Sequence, residues 1–225
     1  MNITQLVSAV YTETNRPDLV AETLQAVLES ILQIHSSEEY IRDINESQVV
    51  FDTAAYIQTL DLRSLPLFRK MKYIRKTIQG LATYEQSPSL LLPGNFLWPP
   101  TQFDFLEKID PEEALDRYSY ERQNVWYQAG KQVNLKSSTS LRYALIGWYA
   151  YPTIDAANGG AGLSSWIADE FPYAIIYRAA GIVFAKIGEE KSFAIYMTPP
   201  DLRSGLGGGL YHQLKRTLDQ NNIVA

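Results

Sequence analysis

SSWIADEFPYAIIYRAAGIVFAKIG, residues 164–188, is the most apolar stretch of the chain, and its periodicity decides what kind of protein this is. Tyr173, Ile176, Tyr177, Ala180, Val183, Phe184 and Ile187 recur at helical spacing, and Ala174, Ile175, Ala179 and Ile182 fill the opposite side. A helix apolar on nearly all sides is buried on most of them. Arg178 and Lys186 interrupt the run, which is too short and too broken for a membrane span. Ser164 or Ser165 caps a first short helix, with Trp166 anchoring its first turn. Pro172 starts a second, longer helix, where its missing N–H costs nothing, and Gly188 ends it.

Outward toward the N-terminus, Ile3, Leu6, Val7 and Val10 form one face of a short helix capped by Asn2 or Thr4. Asn15-Arg16-Pro17 punctuates, and Pro17 is expected to start a second helix striped by Val20, Leu24, Val27, Leu28, Ile31 and Ile34. A short loop between two helices predicts an antiparallel pair. From Asn45 the texture turns to β: QVVFDTAAYIQTL and FRKMKYIRKTI carry β-branched and aromatic residues, separated at Leu65-Pro66. Residues 79–100 hold four prolines and two glycines and read as an exposed arm. Asp110-Pro111 starts a capped helical turn. Residues 125–149 predict a three-strand meander with turns at Ala129-Gly130 and at 137–140, its last strand central. A helix over 189–197 ends at Pro199-Pro200, SGLGGGL reads as a flexible joint, and residues 211–218 are a candidate short helix before a loose end, the whole reading as a tail.

Helices, then strands, then helices is an α+β order. The expected architecture is a helical bundle core, the N-terminal helix pair plus the central apolar helix, with an inserted antiparallel β region and an extended C-terminal tail. The boundaries are 1–44 and 153–198 for the helical core, 45–152 for the β-rich insertion, and 199–225 for the flexible tail.

The composition narrows the chemistry. A formal charge of −5 runs against a general nucleic-acid binder. With no cysteine, disulfides, thiolate metal sites and thiol nucleophiles are excluded. His35 and His212 are the only imidazoles, neither has a second histidine at metal spacing, and both read as surface or helix-end residues. The first residues, MNITQLVSAVY, lack the order of a signal peptide. The glycine clusters at 159–162 and 205–209 lack the lysine or acidic residue of a phosphate or dinucleotide loop and read as connections. The carboxylate pairs Glu112-Glu113, Asp169-Glu170 and Glu189-Glu190 lie near helix starts, where they suit the dipole. Arg63, Arg69, Lys70, Lys72, Arg75 and Lys76 form a basic run with no acid inside it, and residues 104–121 form its acidic complement. On a regular strand, Lys70, Lys72 and Lys76 would share one face and Arg69 and Arg75 the other. The basic run reads as ordinary surface charge, or else it pairs with Glu112 and Glu113 of a neighbouring subunit or meets nucleic acid.

The stretch ITQLVSAVYTETNRPDLVAETLQAVLESILQIH, with its N-R-P-D-L turn at 15–19, resembles the start of head-to-tail adaptor (connector) proteins of tailed, short-tailed bacteriophages. The run LRYALIGWYAYPTI and the segment SSWIADEFPYAIIYRAAGIVFAKIGEE resemble the second half of the same proteins. These are packing and turn motifs. The resemblance implies a structural virion protein at the head–tail junction, not an enzyme. It would form a ring, usually of twelve copies, below the portal protein and pass DNA to a tail or nozzle protein, with no cofactor, no metal and no membrane. It also implies portal contact through the C-terminal segment, here Leu202, Leu206, Leu210, Tyr211 and Leu214. Leu91, Phe96 and Trp98 of the arm are expected to dock the tail side. A tail-terminator or head-completion protein is the alternative role. A small hydrolase using carboxylates such as Asp169 and Glu170 is the rival class.

Overall fold

The computed structural model describes residues 1–77, 103–114, 121–155, 162–199 and 208–224. The chain divides into two compact units, Met1–Asp43 with Tyr151–Ala225, and Ile44–Ala150.

The first unit is helical. Helix α1 (Ile3–Thr14) is capped by Asn2, whose side chain accepts from the Gln5 backbone while Gln5 bonds back to the Asn2 N–H. This reciprocal box satisfies two amide donors that a helix start otherwise leaves open. Asn15 in the left-handed region ends α1, and the Arg16–Asp18 ion pair closes the turn at 2.9 Å. Helix α2 (Val20–Ser37) begins three residues after Pro17, so the proline shapes the turn and not the helix start. Helix α3 (Trp166–Glu170) is capped by Ser165. Helix α4 (Pro172–Ile187) has its proline in the first turn and Gly188 at φ 74° after its last. Helix α5 (Glu190–Met197) and helix α6 (Leu210–Val224) complete the unit. As its composition predicts, α4 is central: it touches each of the other five helices. Ala174, Ile175, Ile176, Ala179, Ala180 and Val183 are all buried on it, whereas Tyr173 is exposed. Each fully buried isoleucine contributes roughly 1.5–3 kcal/mol.

The second unit is a six-stranded sheet. Its strands are β1 (Ile44–Asp61), β2 (Phe68–Thr77), β3 (Phe103–Phe105), β4 (Glu107–Lys108), β5 (Val125–Ala129) and β6 (Gln132–Ala150). Strand β6 organises it. Its first half lies between β1 and β5, and its second half between β1 and β2. β3 pairs with β2, and after the single residue Leu106 the chain continues as β4, parallel to β5. The short stretch 103–108 therefore nearly closes the sheet into a barrel. Leu106, Ile74, Met71, Trp126, Leu135, Ile146 and Trp148 fill its interior.

Two expectations are corrected here. The chain is α+β, but it is not a helical bundle core carrying an inserted β region. The sheet closes around a hydrophobic core of its own, separate from the helical one. Nor is the C-terminal segment an extended tail. Leu210, Leu214 and Leu218 recur every fourth residue, and Tyr211 and Leu218 are buried in the helical core. Gly209 serves a close approach: a Cβ there would stand 2.5 Å from the Tyr196 carbonyl oxygen. The meander is corrected as well. No turn interrupts 137–140, and β6 runs on for 19 residues. The small hydroxyl residues mark the place where β6 exchanges one neighbour for another. There the Thr139 N–H finds Ser137 Oγ, and the Ser138 N–H finds Asn124 Oδ1.

Candidate functional site

The basic run lies on β2, but not as regular alternation would place it. Two irregularities interrupt its pairing with β6, one between Phe68 and Lys70 and one between Met71 and Tyr73. Each leaves one extra residue, Arg69 and Lys72. A bulge bends its strand and re-aims side chains, and here both extra cations reach the same ring: each charged group is 5.2 Å from the centre of Tyr149. Beyond the second bulge the inward parity has changed. Ile74 and Lys76 point into the barrel, where Met71 did before it.

The expected grouping of Lys70, Lys72 and Lys76 on one face therefore fails. Lys70 and Lys72 are exposed, while Lys76 is buried. The Lys76 ammonium donates to Asn124 Oδ1 at 2.6 Å and to Ser138 Oγ at 3.4 Å. It is spent on holding the barrel end, where Asn124 sits at φ 59°. Glu112 and Glu113 are exposed on the 3-10 turn Pro111–Ala114, and Glu113 lies 3.9 Å from Arg122.

Next to the Tyr149 site, Tyr73 lies flat over Gly147. A Cβ at Gly147 would stand 2.5 Å from the Tyr73 ring, so any side chain there must displace the ring. The Tyr73 hydroxyl donates to the Glu46 carboxylate. Burial, then that bond, pushes its pKa up to about 12. The Arg75 guanidinium sits 4.6 Å from the Tyr73 ring centre and 4.5 Å from that of the exposed Phe105. The outer face of the barrel thus carries alternating cations and aromatic rings, a surface suited to contact with another macromolecule.

The same unit has an edge that no other described strand covers. Among the described residues β1 pairs with β6 alone along its 18 residues. Val50, Tyr56 and Ile57 on it are 57%, 62% and 53% exposed. A groove of about 470 Å³ lined by Leu62, Leu65, Phe68, Arg63, Gln128, Gly130 and Lys131 opens where β1 runs toward β2. Asp61 beside it is held at about 2 by its hydrogen bonds to Arg63.

In the helical unit, the structure brings together residues that the sequence kept apart. His35 is a helix-end residue as expected, but it is buried. Its Nδ1 meets Asp43 at 2.9 Å and its Nε2 meets Ser165 Oγ at 2.9 Å. A serine–histidine–carboxylate chain is the arrangement of a nucleophilic triad. Here the serine is committed elsewhere: it is 4% exposed and its Oγ accepts the Ala168 N–H as the cap of α3. Trp166 Nε1 donates to the same Asp43 carboxylate at 2.9 Å. The chain fastens α2 to α3 beside the point where the polypeptide leaves for β1. The 130 residues between His35 and Ser165 hid it from any local motif.

The carboxylates of the hydrolase reading do not converge. Asp169 accepts from the Met1 amino group at 2.9 Å and Glu170 pairs with Arg42 at 2.5 Å. Leu210 and Leu214 are half-buried against the helical core, and Tyr211 lies under the Arg178 guanidinium, 4.9 Å from its ring centre. Leu202, Leu206, Leu91, Phe96 and Trp98 lie outside the described residues. No family model matches the chain, and no curated protein matches it at a significant level.

Proposed function

We propose that this protein is a structural head-to-tail adaptor of a tailed bacteriophage, working as a ring between the portal protein and a tail component through which DNA passes. One observation of the structure supports this reading above others: large apolar side chains stand exposed on both units. Val20, Leu24, Leu32, Tyr173, Phe193 and Ile195 do so in the helical unit, and Val50, Tyr56, Ile57, Leu67 and Phe105 in the barrel. On α2 the exposed Val20, Leu24 and Leu32, with the half-buried Leu28 between them, run alongside the buried stripe of Val27, Ile31 and Ile34. Such a ridge, outside the core of its own chain, suits a protein whose work is done by contact. A net charge of −5 suits a channel in which DNA slides and does not adhere.

Negative-stain imaging of the purified protein, alone and mixed with portal rings from the same genome, tests the reading. A ring stacked coaxially on the portal is the expected result. Particles that never engage the portal overturn it, and rings found only at the ends of tail tubes assign the terminator role instead.

A further inference from the structure

We infer that the open edge of β1 is the seam between copies of this chain, with β1 of one copy pairing along the β2 edge of the next. This rests on the assembly reading above and names the surfaces that carry it.

An edge strand presents a row of unpaired N–H and C=O groups, and proteins that remain single keep such strands short or defend them with lysine, proline or charge turned inward. β1 is 18 residues long, INESQVVFDTAAYIQTLD, and contains no lysine, arginine or proline. Its pairing with β6 is irregular only between Val50 and Ile57, and the runs on either side of that break are regular. Val50, Tyr56 and Ile57 add exposed apolar surface beside the edge. Among the described residues this strand is a template with one side unpaired.

Charge identifies the partner. Residues 44–50 of β1 and residues 68–76 of β2 flank the second half of β6 on opposite sides. β3 covers β2 only from Arg75 to Thr77, so among the described residues the 68–73 side of β2 also carries no strand. β1 bears Glu46, Asp52 and Asp61 and no cation, whereas the 68–73 side of β2 bears Arg69, Lys70 and Lys72 and no anion. Two β1 edges meeting each other would bring like charges together; β1 meeting β2 brings opposite ones. Joining two different edges is a heterologous contact, the kind that repeats around a ring.

The test uses the full chain. Hydrogen–deuterium exchange is followed as wild-type protein passes from dilute to assembled, with mass photometry reporting the assembly. The amides of 44–61 and 68–73 are expected to slow on assembly more than any in the helical unit. Val50→Lys with Ile57→Lys is expected to raise the concentration for half-assembly by about 100-fold while the circular dichroism of the dilute protein stays unchanged. Glu46→Lys and Lys70→Glu/Lys72→Glu proteins, each defective alone, are expected to co-assemble when mixed. The seam is overturned if wild-type protein stays monomeric or if 44–61 gains no protection on assembly. A lysine variant that assembles at the wild-type concentration overturns it too, and failure of the charge-swapped pair removes β2 as the partner strand. Rings that protect β1 but ignore the portal retain the seam and remove the adaptor reading. A lysine variant that assembles normally on the portal does the reverse.

Discussion

The helical unit and the barrel unit satisfy their backbones in different ways, and the difference locates the working surface. A helix pairs its own amides and carbonyls, so the helical unit needs help only at its ends. Asn2, Asn15, Ser165 and Gly188 give it. A strand must find a neighbour, and among the described residues β1 finds one on only one side. The polar groups follow the same division. The helical unit encloses His35, Asp43 and Ser165 in a chain where each bonds another. The barrel turns Lys70, Lys72 and Phe105 outward. One unit pairs its backbone within itself, and the other leaves a strand edge open among the described residues.

This contrast can be broken most severely from inside. Trp126→Ala in the barrel and Ile175→Ala in α4 each empty a fully buried position, at a cost of about 3–5 and 2–5 kcal/mol respectively. Urea unfolding followed by far-ultraviolet circular dichroism checks this. Two separate cores predict that the tryptophan variant loses strand signal at a denaturant concentration where helix signal persists. A single transition for both signals would show that the cores do not unfold separately.

Asp43→Ala tests the enclosed network. It removes the acceptor of the buried His35 Nδ1 and of the half-buried Trp166 Nε1, leaving the imidazole donor open at about 1–3 kcal/mol and the indole donor at less. The expected result is a drop of several kcal/mol in urea stability. Ser165→Ala loses the α3 cap, at about 1 kcal/mol, and leaves His35 Nε2 without its partner, at about 1–3 kcal/mol. A serine variant as mild as the loss of one cap would mean that the Nε2 contact adds nothing.

Gly147→Ala sharpens the picture of the outer face. The new methyl displaces Tyr73, at about 1–3 kcal/mol, and should bring the Tyr73 phenol down from about 12 toward its ordinary value as burial and the Glu46 bond are lost. Spectrophotometric titration at alkaline pH reads it directly. The sign for wild type follows from a folded pKa above the unfolded one. Tyr73 supports the fold fully below about pH 10 and loses that support as pH rises toward 12.

The smallest effect is at Asp61. Its pKa of about 2 lies below the unfolded value, so its stabilising contribution is present above about pH 4 and fades as pH falls toward 2. The pair is exposed, so the effect is small. Asp61→Asn and wild type should differ slightly in thermal midpoint at pH 5 and converge at pH 2. A difference that persists at pH 2 would assign the loss to the Arg63 backbone bond and not to charge.

The sequence by itself determined the local grammar. The period of residues 164–188, the Ser165 cap, Pro172 and Gly188 placed α3 and α4, because capping and apolar periodicity act over a few residues. β1 and β2 were legible for the same reason: β-branched and aromatic residues recur along both. Only the tertiary structure decided the rest. It showed that 103–108 crosses from β2 to β5 and nearly closes the sheet, that two bulges turn Arg69 and Lys72 onto Tyr149, and that Lys76 is buried. It also joined His35 to Ser165 and folded the C-terminal segment back as α6. Each of these depends on residues far apart in the chain. A strand's register and the burial of a lysine are set by the partner across the gap, and no local pattern carries the partner's position.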